Sequence, residues 1–343
     1  MPHPLTLVGT YGSPYSLKMR AVLRYRQIPF KWVIQGTADE QGIPRPKVAI
    51  IPVLGFPDDA GDVTEVMVDS TPQIARLETM FRERSLKPTD AGLHFLDLLI
   101  EDYADEWVTK MMYHYRWAPR ESVERARKLL PVWPGLHATD ERLERMGDYI
   151  VDRQVGRRAL VGSTETNAPV IESSYIRLLE ILHRHLEGND FLLGDRPGSS
   201  DFGLYGQLSQ LVIIEPPSTD LCILHGPRVY SWINRVDDLA WWRVEGDSGW
   251  YGRNSLPMET LAPLFNEIGS TYAPFMLANE AALKAGAEEV VCEIRGAEYR
   301  QGAFAYQGKT IGWIRDAYLG LSADDREWVD GVLAGTGCES LFV

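Results

Sequence analysis

Cysteine is scarce. Three residues in 343, Cys222, Cys292 and Cys338, are an odd number at wide spacing. They give neither a disulfide framework nor a Cys-x-x-Cys metal pair, and they fit a reducing, cytoplasmic setting. Positive charge is also short, with 35 Lys and Arg against 48 Asp and Glu and a formal net charge of -13. Nucleic-acid backbones and anionic lipid both reward clustered Lys and Arg, so neither nucleic acid nor membrane is expected as a partner. No uninterrupted apolar run approaches the ~18 residues of a membrane span. The opening MPHPLTLVG has no basic segment followed by an apolar one, so no export signal is expected. Histidines are few and scattered. His183 and His185 are two apart on a predicted helix and point to different faces, so no metal site is expected.

What remains is an ordinary globular composition, 45% hydrophobic and 24% charged, long enough for two domains and a third segment. The stretch from Leu5 to Tyr25 reads as strand, tight turn and helix: LTLVGT, YGSPYS, LKMRAVLRY. Gly12 permits a sharp turn, Ser13 is a favoured N-cap, and Pro14 suits the first helical position. An anion beside such a helix start is favoured by roughly 0.3 to 1 kcal/mol. A thiolate is such an anion, although Ser-Pro at a helix start also serves as a plain cap. Met19, Val22 and Leu23 form the apolar stripe of this helix, with Lys18, Arg20 and Arg24 outside it.

FKWVIQ (30–35) is a second strand, parallel to the first through the helical crossover. VAIIPVLGF (48–56) carries a proline that cannot donate to a ladder, which suggests a cis Ile51–Pro52 bond at the strand's entrance. A turn over 57–62 leads to an antiparallel partner, VTEVMV, and Asp69-Ser70-Thr71-Pro72 opens the next helix. From about residue 91 the pattern is helical: 91–117 ended by Pro119, then about 121–130, 139–155, 168–187 and 199–213. A tail from 237 to 343 shows no repeat or low-complexity tract. It holds an aromatic loop, helices near 257–268 and 274–285, strands over 289–295 and 299–306 joined at Gly296-Ala297, and helices over 309–319 and 323–334.

Residues 5–236 together resemble the cytosolic glutathione transferase family, serine-type. Gly12-Ser13-Pro14-Tyr15-Ser16 is similar to the start of its first helix, Ile51-Pro52-Val53-Leu54 to its cis-proline element, and Asp69-Ser70 to its acidic-Ser pair. FLLGDRPGSSDFGLYGQL (191–208) and GPRVYSWINRV (226–236) are similar to its buried-helix start and its late helix. One departure stands out, because Gly198 sits where that pattern has a capping Ser or Thr three residues before Asp201. Glycine is a tolerated N-cap. The resemblance implies a thioredoxin-like α/β domain over 1–86 and an all-helical domain over 91–236; the tail, a mixed α+β C-terminal extension over 237–343, lies outside it. The resemblance also implies a homodimer.

In such a protein glutathione is a co-substrate. Ser13 would donate to its sulfur, Ile51 and Pro52 would pair with its cysteinyl unit, and Asp69 and Ser70 would hold its γ-glutamyl head. Tyr11, just after the first strand, is the rival donor. A hydroxyl cannot form a mixed disulfide, so serine favours conjugation, dehalogenation, ether cleavage or isomerisation over thiol exchange. The resemblance places the acceptor, a small apolar or aromatic electrophile, against the long helix. Tyr103, Trp107, Met111 and Tyr115 are the candidates, with Tyr113, Trp117, Arg116 and His114 nearby; the same aromatic stripe also fits a core. Tyr272, Phe275, Tyr299, Tyr306 and Trp313 are candidates for a lid. The alternative is a non-catalytic binding or assembly protein with the extension as docking surface.

Overall fold

The computed structural model describes residues 3–343; Met1 and Pro2, where the first expected domain begins, lie outside the described residues. Strand β1 (Leu5–Gly9), helix α1 (Pro14–Tyr25) and strand β2 (Phe30–Ile34) form the expected crossover, with β1 and β2 parallel from Leu5 opposite Phe30 to Gly9 opposite Ile34. Strands β3 (Val53–Pro57) and β4 (Val63–Val68) add antiparallel pairings, giving the order β2-β1-β3-β4, and α2 (Ser70–Met80) follows. The Ile51–Pro52 bond is cis, and the ladder starts only after it, at Val53 rather than residue 48, because proline brings no N–H. Gly12 matters for closeness more than for turning. A Cβ there would lie 2.6 Å from the Trp133 ring and 2.8 Å from Leu130.

The segment predicted as one helix over 91–117 is α3 (Ala91–Tyr103), a π-helical turn (Ala104–Val108) and α4 (Thr109–Trp117) in succession. Helices α5 (Arg120–Leu129), α6 (Asp140–Val155), α8 (Ala168–His185), α9 (Ser199–Ile213) and α11 (Pro227–Val236) lie where the sequence places them. Two more were not anticipated. Helix α7 (Arg158–Val161) is a single turn closed by left-handed Gly162, and α10 (Pro216–His225) begins with two prolines, which lose nothing in a first turn that lacks N–H partners. The central α9 touches α1 through Gly206, where a Cβ would come within 2.8 Å of the Pro14 carbonyl oxygen. That contact fixes the start of α1 against the helical part.

The extension comprises α12 (Met258–Ser270), α13 (Tyr272–Lys284), a hairpin of β5 (Glu289–Ile294) and β6 (Ala297–Gly302), α14 (Ala305–Leu319) and α15 (Ala323–Leu333). Arg295 and Gly296, both at positive φ, make the two-residue turn of the hairpin. The strand expected to reach residue 306 stops at Gly302, so Tyr306 belongs to α14. This segment packs into the same core as the rest. Trp107 meets Phe275 and Tyr299, Tyr272 donates to Asp102, and buried Glu267 accepts from Ser174 and Arg177 on α8. All three cysteines are free thiols. Among the described residues no helix is long and apolar enough to cross a membrane.

Candidate active site

A cleft of about 800 Å³ lies where the sheet domain, the α3–α4 column and the extension meet. Its first wall is the start of α1. Ser13 caps the helix in extended conformation, and its Oγ accepts from the Ser16 amide at 3.3 Å, which leaves the hydroxyl's own proton free to donate. Pro14 has no N–H, so the Tyr15 amide is the remaining first-turn donor. Arg116 pins the turn by donating to the Gly12 carbonyl at 2.7 Å and to Gln210 Oε1 at 2.7 Å, and it pairs with buried Glu215. Burial pushes the Glu215 carboxyl up, and Arg116 opposes that. Tyr11 does not line the cleft. Its ring packs against Trp32 and Trp133 at 5.8 and 5.9 Å, with the Arg20 guanidinium 5.2 Å from its centre.

Ile51, Pro52, Asp69 and Ser70 line the same cleft. Gln73 on α2 donates to the Pro52 carbonyl at 3.0 Å and to that of Met67 at 2.7 Å, tying the cis-proline segment to the helix that Ser70 opens. Asp69 sits at φ +78°, where a side chain other than glycine's costs of order 1–3 kcal/mol. Its carboxylate does not cap α2; it accepts from the Tyr306 hydroxyl.

The second wall corrects the expected acceptor face. Tyr103, Trp107, Met111 and Tyr115 do not line the cleft. They are buried in the core, where Trp107 donates to Ser174 Oγ at 3.0 Å and Tyr115 packs on Tyr175 at 5.1 Å. A long apolar stripe goes where most apolar surface can be covered, and here that is α8 and the extension. His114 is buried between Ser163 and Glu172. The opposite, polar face of the column lines the cleft with Asp102, Asp105, Glu106 and Lys110, followed by Met112, Tyr113 and Trp117. Burial, the largest cause, pushes the carboxyls of Asp105, Asp102 and Glu106 up to about 6, 7 and 8, and burial pushes Lys110 down to about 7 against the opposing charge of Glu106. Lys18, expected on the exposed side of α1, is instead fully buried and donates to Glu101 at 2.7 Å and Asp105 at 2.6 Å. The extension supplies the third wall. Of the lid candidates, Tyr306 and Trp313 line the cleft, whereas Tyr272, Phe275 and Tyr299 are wholly in the core.

Asp105, Glu106 and Lys110 were not singled out by sequence reasoning, because a charged helix face ordinarily meets water. The acidic run Asp105-Glu106 beside Trp107 was the available sign. Among the described residues no group of His, Cys, Asp or Glu is arranged to hold a metal ion.

The class defined by this architecture is a thioredoxin-like sheet domain joined to an all-helical one, with an added α+β extension. Residues 7–85 match the family model for the glutathione S-transferase N-terminal domain. Similar solved structures include the beta-etherase LigF from Sphingobium sp. strain SYK-6, at 18% identity over 68% of this chain and 94% of that one, with a TM-score of 0.47. Also similar is a GST-like protein from Pseudomonas syringae, 17% identical over 68% of this chain and 66% of that one, TM-score 0.43. A third is a glutathione transferase family member from Pseudomonas fluorescens pf-5, solved with two glutathione bound, 15% identical over 68% and 88%, TM-score 0.41. No curated protein sequence gives a significant match.

Proposed function

We propose that this protein is a glutathione transferase, which binds glutathione on the sheet domain, ionises its thiol at Ser13 and directs the thiolate at an electrophile held in the same cleft. The observation that carries the reading is the Ser13 hydroxyl, with its proton uncommitted, at the amino end of α1 in one cleft with Pro52, Asp69 and Ser70. A thiol near pKa 8.5 is mostly protonated at neutral pH. A donated hydrogen bond and a helix amino end favour its anion, against burial, which opposes it; the thiol proton leaves to solvent. The cysteinyl unit would pair with the backbone at Ile51, the α-ammonium with Asp69 and the α-carboxylate with Ser70 at the start of α2. The sulfur's lone pair then forms the bond to the electrophilic carbon as that carbon's leaving group departs. Met112, Trp117, Trp133 and Trp313 around the cleft support an apolar or aromatic acceptor. The proposed setting is the cytoplasm and the proposed assembly a homodimer, which sedimentation at working concentration tests.

Two measurements decide the reading. Glutathione should raise the melting temperature, and ultraviolet titration should show the bound thiol ionising below its free value. Binding with an unshifted thiol would favour a non-catalytic binding protein, and no binding would remove the proposal altogether. In Ser13→Ala, conjugation of a reactive aromatic electrophile should fall at least about tenfold while glutathione affinity stays within about twofold. If Tyr11→Phe gives that result and Ser13→Ala does not, the donor is Tyr11.

A further inference from the structure

The proposed reaction expels a leaving group, and the end of the cleft where the π-helical turn meets the extension is acidic. Asp102, Asp105 and Glu106 line it, with Lys110 one turn further on. Buried Lys18 is shared between Glu101 and Asp105 and offsets only part of that charge. An anion set free here is repelled, so a group leaves more readily if it takes up a proton as it goes.

Three of the four charged groups at this end are already engaged. Asp102 accepts from the Tyr272 hydroxyl, which favours its anion, and Asp105 accepts from Lys18 at 2.6 Å. Lys110 is turned into the extension, donating to Gln301 Oε1 at 2.6 Å and the Val161 carbonyl at 3.4 Å, with the Phe275 ring centre 4.0 Å away. Glu106 differs. It is 6% exposed and lines the cleft, its oxygens are not closed off as Asp105 Oδ1 is, and no group makes a hydrogen bond of ordinary length to its carboxyl among the described residues. The Gln307 amide, which donates to the Glu106 backbone carbonyl at 3.4 Å, eases its charge, yet burial and Asp102 outweigh that and hold the proton on at neutral pH. The other groups facing it are Asp105 beside it, Lys110 of α4, Tyr15 of α1, Tyr272 of α13 and Tyr306 of α14. Asp105 adds to the push and Lys110 opposes it, while burial keeps the three phenols neutral. Neighbouring acids driven apart in this way are how a carboxyl comes to serve as an acid at neutral pH. The turn is also fastened to the start of α1, because Tyr15, two residues after Ser13, donates to the Asp105 carbonyl at 2.9 Å and to Thr109 Oγ1 at 3.3 Å.

We propose that Glu106 is the general acid of the reaction, donating its proton to an oxygen that the glutathione sulfur displaces, so that the acceptor is an activated ether rather than a halide. The inference rests on the glutathione transferase reading above. As the sulfur lone pair forms the bond to carbon, the electrons of the carbon–oxygen bond pass to oxygen, which takes the Glu106 proton and departs as a neutral alcohol or phenol. The carboxylate then recovers a proton from solvent, matching the one the thiol released.

The test uses the full-length protein, glutathione and phenacyl aryl ethers whose departing phenols run from 4-nitrophenol to 4-methoxyphenol. Phenacyl bromide, whose leaving group needs no proton, is the reference acceptor, and dividing each ether's enzymatic kcat/KM by the bromide's removes the ionisation of the thiol. At about pH 6.5 Glu106→Gln should lower this ratio at least about a hundredfold for the 4-methoxyphenyl ether and less than about tenfold for the 4-nitrophenyl ether. In wild type the 4-methoxyphenyl ratio should fall as pH rises through about 8, and in Glu106→Gln it should not change there. A merely structural role would slow ether and bromide alike and leave the ratios where they were. That outcome, or a wild type that consumes the bromide and none of the ethers, overturns the inference while the transferase reading stands. If wild type accelerates neither kind of acceptor, the transferase reading itself fails and takes the inference with it. Should Glu106→Gln not fold, the wild-type ratio decides, since a value flat through pH 8 overturns the inference.

Discussion

Gly198 stands where a capping hydroxyl is expected at the start of α9, and its neighbour across the helical domain explains the exchange. The Asp97 carboxylate, from α3, accepts from the Ser199 amide at 3.1 Å, the Ser199 hydroxyl at 2.5 Å and the Ser200 amide at 3.0 Å. A Cβ at residue 198 would lie 2.2 Å from Asp97 Oδ1. The cap is supplied by another helix, and glycine leaves the space for it. Gly198→Ser should therefore destabilise the protein by about 1–3 kcal/mol, despite restoring the residue favoured at an N-cap. Asp97→Ala should cost more than about 3 kcal/mol, since it strands buried donors. The double variant should be less damaged than the sum of the two, as measured by chemical denaturation, because the serine then has room to cap. Strict additivity would show that Asp97 is not what excludes a side chain at 198.

At the scale of the element, the π-helical turn over Ala104–Val108 decides what the cleft meets. It leaves Trp107 and Val108 in the core and places Asp105 and Glu106 at the cleft. Such turns are often associated with functional sites. The Glu106 carboxyl is pushed up to about 8, by burial first and Asp102 second. In the unfolded chain it returns to about 4.3. Folding thus takes up a proton between those values, and the native state loses stability through this group as pH rises from about 4 to about 8. Glutamine keeps the neutral shape and cannot ionise. The melting temperature of Glu106→Gln minus that of wild type should accordingly rise between about pH 5 and pH 8; a flat or falling difference would show that Glu106 is not held neutral. Periodicity revealed the stripe of Tyr103, Trp107 and Met111 but not what it faces. A stripe records that something covers it, and the cover here comes from residues more than 150 positions later, Phe275 and Tyr299. Lys18 was misplaced for the complementary reason. Its partners Glu101 and Asp105 lie 83 and 87 residues on, beyond any local pattern.

For the molecule as a whole, the order of strands and helices was legible because turns, caps and apolar spacing are local signals. Examples are Ser13-Pro14, the proline before Val53 and the apolar run of α8. Helices α7 and α10 were not, one being a single turn and the other opening on a proline pair that reads as a break. The extension was recognisable as folded, while its place was not, since its charged and aromatic partners are spread over the whole chain. Once placed, it is inseparable from the rest. A chain ending at Val236 would strip cover from Trp107 and Tyr103 and leave Asp102 and Lys110 without Tyr272 and Gln301. That truncated chain should show weak near-ultraviolet dichroism, bind a hydrophobic dye and unfold without a sharp transition. A cooperatively melting fragment would instead mark the extension as an independent unit.

The pairing of Asp69 with Tyr306 has a bearing on biosynthesis. The two residues are 237 positions apart, so at roughly 5–20 residues per second on the ribosome the first is made about 12 to 47 s before the second. Throughout that interval the nascent sheet domain carries its carboxylate uncovered, and the pocket's final wall arrives only once α14 has been made.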